Sequence, residues 1–299
     1  MRVAVTGSTG FIGRALVASL RGDGHEVVRV VRGSKVDDEP TVRWDLDART
    51  IDPAGLEGVD AVVHLAGESI AGKRWTDEQR RRILDSRTSG TDLLARALAG
   101  LDRPPRTLLS GSAIGYYGDR GDEELTEASD PGSLFLSEVC EAWEAAARAA
   151  VDAGIRTAFL RTGIVLAGTG GVLGKMLPLF RFGLGGKLGD GRQWMSWITL
   201  ADHVRAMRFL LDHEVGGPVN LTAPAPVTNA AFTKALGTVL GRPTVVPVPR
   251  FGPRLLLGRA LADELLFASQ RVAPAVLGDA GFEFEAPELD GALRAVLGR

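Results

Sequence analysis

The chain has 299 residues, 45% hydrophobic and 24% charged, which excludes a disordered polypeptide and leaves one large domain or two fused ones. Thirty-five Lys and Arg against 37 Asp and Glu give a net charge of −2, which excludes a strongly basic nucleic-acid module. A single cysteine, Cys140, and four histidines without ligand spacing exclude a disulfide framework and give no metal site.

Val3–Thr6 is a short apolar run and predicts a first strand. Phe11, Ile12, Leu16, Val17 and Leu20 follow at helical spacing, and Gly22 and Gly24 stop that helix. Glu26–Val31 and Thr41–Leu46 read as the next strands. Asp60–Leu65 is a continuous apolar run, the pattern of a strand buried on both faces. A helix is predicted over Thr76–Leu98, a strand over Arg106–Leu109, a helix over Ser137–Ala153 and a strand over Arg156–Leu160. This alternation predicts an α/β fold with a parallel sheet covered by helices.

Beyond residue 166 the rhythm changes. Residues 168–191 are glycine-rich and read as irregular. Thr199–His213 predicts a helix and Pro218–Leu221 a strand. Residues 228–299 read as helical, with prolines at 243, 247, 249, 253, 274 and 287. The expected division is residues 1–221, with 167–196 contributing to a substrate lobe, and a small C-terminal lobe at 222–299. No apolar run approaches the roughly 18–20 residues of a membrane span, and the N-terminus lacks the apolar core of about 7–15 residues that marks a signal peptide. The expectation is a cytoplasmic protein with no membrane or nucleic-acid partner.

The strongest local signal is Gly7-Ser8-Thr9-Gly10-Phe11-Ile12-Gly13, placed between the first strand and the first helix. Glycines at such a turn permit a sharp reversal, close approach of backbone to a pyrophosphate, and tight packing of helix on strand. The helix start then offers free N–H groups to an anion. At the second strand's end, Arg32 and Lys35 stand where a carboxylate would select the ribose hydroxyl of NAD. A forked guanidinium there suits a 2′-phosphate.

The loop, together with His64-Leu65-Ala66-Gly67, resembles that of the extended short-chain dehydrogenase/reductases, the epimerase/dehydratase group. HLAGE at 64–68, SRTSGT at 86–91, SAIGYYG at 112–118, FLSEVCEAWE at 135–144 and VPRFGPRLLLG at 248–258 resemble one atypical subgroup. Its members carry a small C-terminal domain of unknown function, and the resemblance spans essentially the whole chain. It implies a Rossmann-type doubly wound parallel sheet with a smaller C-terminal substrate lobe, and NADP(H) as cofactor. The implied cofactor contacts are Gly7, Thr9, Gly10, Phe11, Ile12, Gly13, Arg32, Lys35, Asp45, Leu46, Leu65, Ala66, Gly67, Glu68 and Ser110.

The group's usual chemistry uses a Ser or Thr with Tyr-x-x-x-Lys, the lysine lowering the tyrosine pKa. Ser112 matches the serine segment. Alignment on Trp143-Glu144 puts Leu136 at the tyrosine and Cys140 at the lysine, and a one-residue shift gives Phe135 and Val139. Either way the pair is absent. Ser112 is then the first catalytic candidate, with Tyr116 and Tyr117 after it. Arg161, Lys175, Arg181, Lys187 and Arg192 suggest an anionic small-molecule substrate or a solvated rim; Trp194 and Trp197 suggest stacking on a ligand or packing. Two functions stay open: an NADP(H)-dependent reductase or epimerase with non-standard proton transfer, and a non-catalytic NADP(H)-binding sensor.

Overall fold

The computed structural model describes residues 1–33 and 39–299. In chain order it opens with β1 (Arg2–Thr6), α1 (Phe11–Gly22), β2 (Glu26–Val31), β3 (Thr41–Asp45) and β4 (Thr50–Ile51). Then come β5 (Ala61–His64), α2 (Asp77–Ala99), β6 (Thr107–Ala113), β7 (Glu124–Leu125), α3 (Phe135–Ala145), α4 (Arg148–Asp152), β8 (Arg156–Thr162) and β9 (Ile164–Leu166). The chain continues through α5 (Gly171–Arg181), β10 (Trp194–Met195), β11 (Trp197–Thr199), α6 (Leu200–Asp212), β12 (Gly217–Leu221) and β13 (Val227–Thr228). It finishes with α7 (Asn229–Leu240), α8 (Phe251–Leu257), α9 (Arg259–Ala262), β14 (Arg271–Val272), α10 (Ala275–Asp279) and α11 (Leu289–Leu297).

One sheet runs β12-β8-β6-β5-β1-β2-β3-β4, parallel except for the antiparallel edge pair β3–β4. Alternate residues of β1 serve the two faces. Val3 and Val5 pack with Leu16 and Leu20 of α1 and with Met207 and Leu210 of α6. Ala4 lies in the opposite cluster with Val62, Leu94, Leu98 and Leu108. Strand order reverses between β1 and β5, so a crevice opens beyond their carboxyl ends. Thr6 and His64 stand opposite each other at its edge.

A second core forms from Leu173, Leu177 and Phe180 of α5 with Trp197, Phe232, Leu236 and Leu293. The stretch 168–191 therefore contains a helix that its glycines conceal. Tertiary burial of one apolar stripe offsets the roughly 1 kcal/mol that each helical glycine costs relative to alanine. The helix expected over 137–153 is two, α3 and α4: Ala147 N–H bonds to Glu144 O, three residues back, and Ala147 and Ala150 are seated in the core. β6 continues past its expected end to Ala113. A Cβ at Gly111 would stand 2.7 Å from the Trp143 ring, so this glycine is where α3 seats its tryptophan.

The C-terminal segment is stitched into the rest. β14 pairs in parallel with β7, and Ser196 Oγ donates to Gln270 O at 2.8 Å and accepts from Val272 N at 2.8 Å. No helix among the described residues is long and apolar enough to cross a membrane.

Candidate active site

The glycine turn sits at the crevice. Gly7 has φ +64°, a left-handed conformation, and a Cβ there would stand 2.8 Å from the Leu65 carbonyl carbon. A Cβ at Gly13 would fall 2.2 Å from Gly7 O, so α1 can approach the turn only through glycine. Gly10 caps α1 without a side-chain hydrogen bond, and the first turn holds no acidic residue. Arg14 N–H is the first to reach a helical acceptor, Gly10 O at 3.0 Å. The N–H groups of Phe11, Ile12 and Gly13 thus precede the helical ladder and suit an anion. Thr9 and Gly10 are exposed, and Phe11 and Ile12 half-buried.

Behind the turn runs a buried polar chain. Thr6 Oγ1 accepts from Leu65 N at 3.0 Å and Ala66 N at 3.1 Å, so its own hydroxyl donates to His64 Nδ1 at 2.7 Å. That leaves the ring proton on Nε2, which donates to Thr91 Oγ1 at 2.9 Å. Burial lowers the His64 pKa to about 4, in keeping with this neutral tautomer. The chain fixes Leu65 and Ala66 beside Gly7. Gly67 follows against Arg87, whose guanidinium donates to Glu68 O at 3.0 Å and stacks 4.9 Å from the Trp143 ring. Glu68 N–H donates to Ser86 Oγ at 3.0 Å. Ser110 Oγ is buried with no protein partner.

Two of the expected cofactor residues lie just beyond the end of β2. Arg32 is exposed, and Lys35 lies outside the described residues. Arg29, within β2, reaches the turn, its Nε donating to Ser8 Oγ at 3.1 Å. Arg29 also pairs with Glu39 at 3.0 Å, and Glu39 takes Arg21 at 2.9 Å. These hydrogen bonds hold the Glu39 carboxyl down at about 2. Asp45 Oδ1 accepts from Asp47 N and Ala48 N, which ties it to the turn after β3. Leu46 packs on the core near Gly90.

On the far side, Leu136 and Cys140 of α3 face the end of β6. A Cβ at Gly115 would meet Leu136 Cβ at 3.2 Å and Cys140 Sγ at 3.9 Å. Phe135 turns the other way, onto Trp75 at 5.3 Å. Burial pushes the Cys140 thiol up to about 11, with the Glu144 charge adding to it. A hydrocarbon and a neutral thiol therefore face Gly115 from α3.

One helical turn beyond Cys140 lies the principal charged cluster. Glu144 meets Arg161 of β8 in a two-pronged pair, Nε–Oε1 2.9 Å and Nη2–Oε2 2.9 Å, with the side chains 13% and 4% exposed. Burial works against the Arg161 charge, and the bonds from Glu144 outweigh it, so its pKa is raised. Ser112 Oγ donates to Glu144 Oε1 at 2.7 Å. Arg161 lies 3.4 Å from the Tyr116 ring centroid and donates to the Tyr117 hydroxyl at 3.1 Å. Tyr117 in turn donates to Asn220 Oδ1 at 2.7 Å, and burial raises its pKa to about 12. Glu127 Oε1 accepts from Asn220 N at 2.9 Å, while its other oxygen is buried without a partner. Burial raises the Glu127 pKa as well.

Several sequence expectations resolve against this geometry. Arg161 is committed to Glu144 rather than to a substrate anion. Trp197 is fully buried and donates to Ala225 O at 3.0 Å, so it packs. Trp194 donates to Asp122 Oδ1 at 2.8 Å. The cap of α3 comes from afar: Leu134 offers no capping side chain, and Glu264 Oε2 accepts from Leu136 N at 2.9 Å. Burial raises the Glu264 pKa against those backbone bonds.

Residues 3–222 match the NAD dependent epimerase/dehydratase family, and residues 248–296 match a domain of unknown function, DUF1731. The chain belongs to the epimerase/dehydratase family. An epimerase family protein of Mycobacterium bovis is 45% identical over 94% of this chain and 93% of its own length. The crystal structure of the human epimerase family protein SDR39U1, solved with NADPH, is 36% identical, covers all of both chains and superposes with a TM-score of 0.92. A nucleoside-diphosphate sugar epimerase of Corynebacterium glutamicum is 40% identical with a TM-score of 0.80, covering all of this chain and 58% of that one. The epimerase-family assignment accounts for the glycine turn and the parallel sheet. The Glu144–Arg161 pair was outside the sequence expectation. Its only signal is periodicity, since Glu144 lies four residues beyond Cys140 and eight beyond Leu136, on one face of α3.

Proposed function

We propose that this chain binds NADP(H) in the crevice beyond β1 and β5 and works as a reductase- or epimerase-type protein with weak proton transfer. The observation that carries the reading is the uncapped, acid-free start of α1, held against β5 by glycines that admit no side chain. The residues fit a dinucleotide. Phe11, Ile12 and Gly13 offer N–H groups to the pyrophosphate, the exposed Arg32 offers a cation just past β2, and the partnerless Ser110 hydroxyl offers a bond. The human relative solved with NADPH supports the phosphorylated form. Bound there, the nicotinamide would give or take a hydride.

The chain's own groups do little to move the accompanying proton. Leu136 holds none, and Cys140 keeps its proton at neutral pH. Tyr117 is fixed between Arg161 and Asn220. Ser112 donates to Glu144, which leaves its oxygen lone pairs for a substrate group and a carboxylate behind it. Turnover with simple carbonyl compounds is then expected to fall short by the 10²–10⁴-fold that general acid–base help typically supplies. The second reading, an NADP(H) sensor, draws on the same pair, Leu136 and Cys140.

Fluorescence titration tests the cofactor assignment. NADPH is expected to bind at least about tenfold tighter than NADH, a difference of about 1.4 kcal/mol. Arg32→Ala should weaken NADPH and spare NADH. Equal affinities for the two nucleotides would remove the phosphorylated cofactor from this reading.

A further inference from the structure

Of the eleven large apolar side chains exposed among the described residues, nine fall in two stretches, 171–189 and 242–262. Neither stretch contains an Asp or Glu, and together they carry seven cations, in a chain whose net charge is −2. The two run side by side. Val248 N–H bonds to Lys187 O at 2.8 Å and Gly189 N–H to Val248 O at 2.9 Å. A Cβ on Gly183 would touch Pro243 at 3.7 Å. Phe182, Leu184, Val245, Phe251, Leu255 and Leu256 are each 65–83% exposed, so they project outward. None of the side chains of α8 is buried.

The cations are largely free. Arg254 and Arg259 share Asp263 at 2.7 and 3.6 Å, and Arg250 stacks 5.0 Å from Phe267. Asp190 borders the surface and accepts from Arg192 N. Lys175, Arg181, Lys187 and Arg242 have no carboxylate partner among the described residues. The loop after β5 reaches this surface, where Arg74 donates to the carbonyls of Leu255 and Leu256.

We propose that this face docks on an anionic lipid bilayer, apolar side chains entering the headgroup boundary and Lys and Arg meeting the phosphates. Exposed apolar side chains set among cations are the composition of interfacial membrane contacts. A second copy fits poorly, since a two-fold interface sets the same patch on itself and would oppose cation to cation. An acidic protein helix would need a groove, whereas these side chains stand proud of the surface. The lack of a spanning helix, the ground for expecting no membrane partner, says nothing of contact at the surface.

Co-sedimentation of the full-length protein with vesicles tests this. Vesicles of phosphatidylcholine mixed with phosphatidylglycerol should retain about tenfold more protein than phosphatidylcholine alone, and molar salt should abolish the difference. Phe182→Ser combined with Phe251→Ser and Leu255→Ser should cut binding at least about tenfold with the circular dichroism melt unchanged. Arg181→Glu with Arg242→Glu should do the same through charge alone and guards against misfolding of the first variant. Equal retention on both vesicle types, or binding indifferent to both variants, overturns the proposal. So does a dimer in light scattering that the serine variant dissolves while vesicles retain nothing, which would assign the face to a second copy.

Discussion

Replacing Gly10 with valine separates the fold of the glycine turn from its use. At Gly10 the backbone φ is −70°, which any residue adopts. An added Cβ meets only Gly7 O, at 3.1 Å, so the turn needs to yield by a few tenths of an ångström. Valine is also a poorer N-cap than glycine, by about 1 kcal/mol. For 299 residues the unfolding entropy is about 0.6 kcal/mol per kelvin, so the unliganded protein should melt roughly 2 °C lower. The nucleotide effect is larger. At about 100 times its dissociation constant a ligand stabilises by about 2.7 kcal/mol, or roughly 4 °C here. Differential scanning fluorimetry with and without NADPH should show that shift in the wild type and less than about 1 °C in Gly10→Val, whose methyl groups stand in the anion's path. Gly13→Ala is the contrasting control: its Cβ would fall 2.2 Å from Gly7 O, so it should lower the melting point itself. A full NADPH shift in Gly10→Val would refute the placement of the pyrophosphate at α1.

Glu144→Ala should cost about 3–5 kcal/mol in urea unfolding, because it leaves the Arg161 guanidinium buried without its carboxylate; a loss below about 1 kcal/mol would show that water reaches the pair. Removing both charges, as Glu144→Leu with Arg161→Met, should recover most of that loss. Burial lowers both His64 and His203 to about 4, so the unfolded chain binds more protons between about pH 6.5 and 4. Their stabilisation is complete above pH 6.5 and declines as pH falls, by about 2 kcal/mol for each ring at pH 5. His203→Gln should reduce that acid sensitivity, and an unaltered slope of stability against pH would count against burial as its cause.

The parts of this molecule that sequence reveals are those whose demands are local. A glycine that must take φ +64° or sit under a helix start is visible as a letter, so Gly7 and Gly13 mark the turn without help. The absence of a tyrosine and lysine from α3 is equally visible. Arg161 is not, because nothing near it in the chain says that a carboxylate waits on α3. Its cationic neighbours suggested a solvent-facing or substrate-facing role, and burial against Glu144 gave it another. Arg29 was passed over for the same reason, since its link to Ser8 joins β2 to the glycine turn. The helix α5 escaped because glycine content is a local quantity, whereas the burial of Leu173, Leu177 and Phe180 depends on α7 and α11.

The cap that Glu264 places on α3 also sets a timetable. Leu136 and Glu264 are 128 residues apart, and β7 has to wait for β14 over a longer interval still. At about 5–20 residues per second, a ribosome needs roughly 6–25 s to bridge the gap between donor and acceptor. Throughout that interval the sheet can assemble while the start of α3 lacks its acceptor and Leu125 lacks Val272 over it. The nascent chain therefore carries an open wound beside its crevice until the last fifty residues emerge. A premature stop in those residues would release a molecule with most of its sheet and an unfinished site, a substrate for chaperones and proteases rather than a smaller working protein.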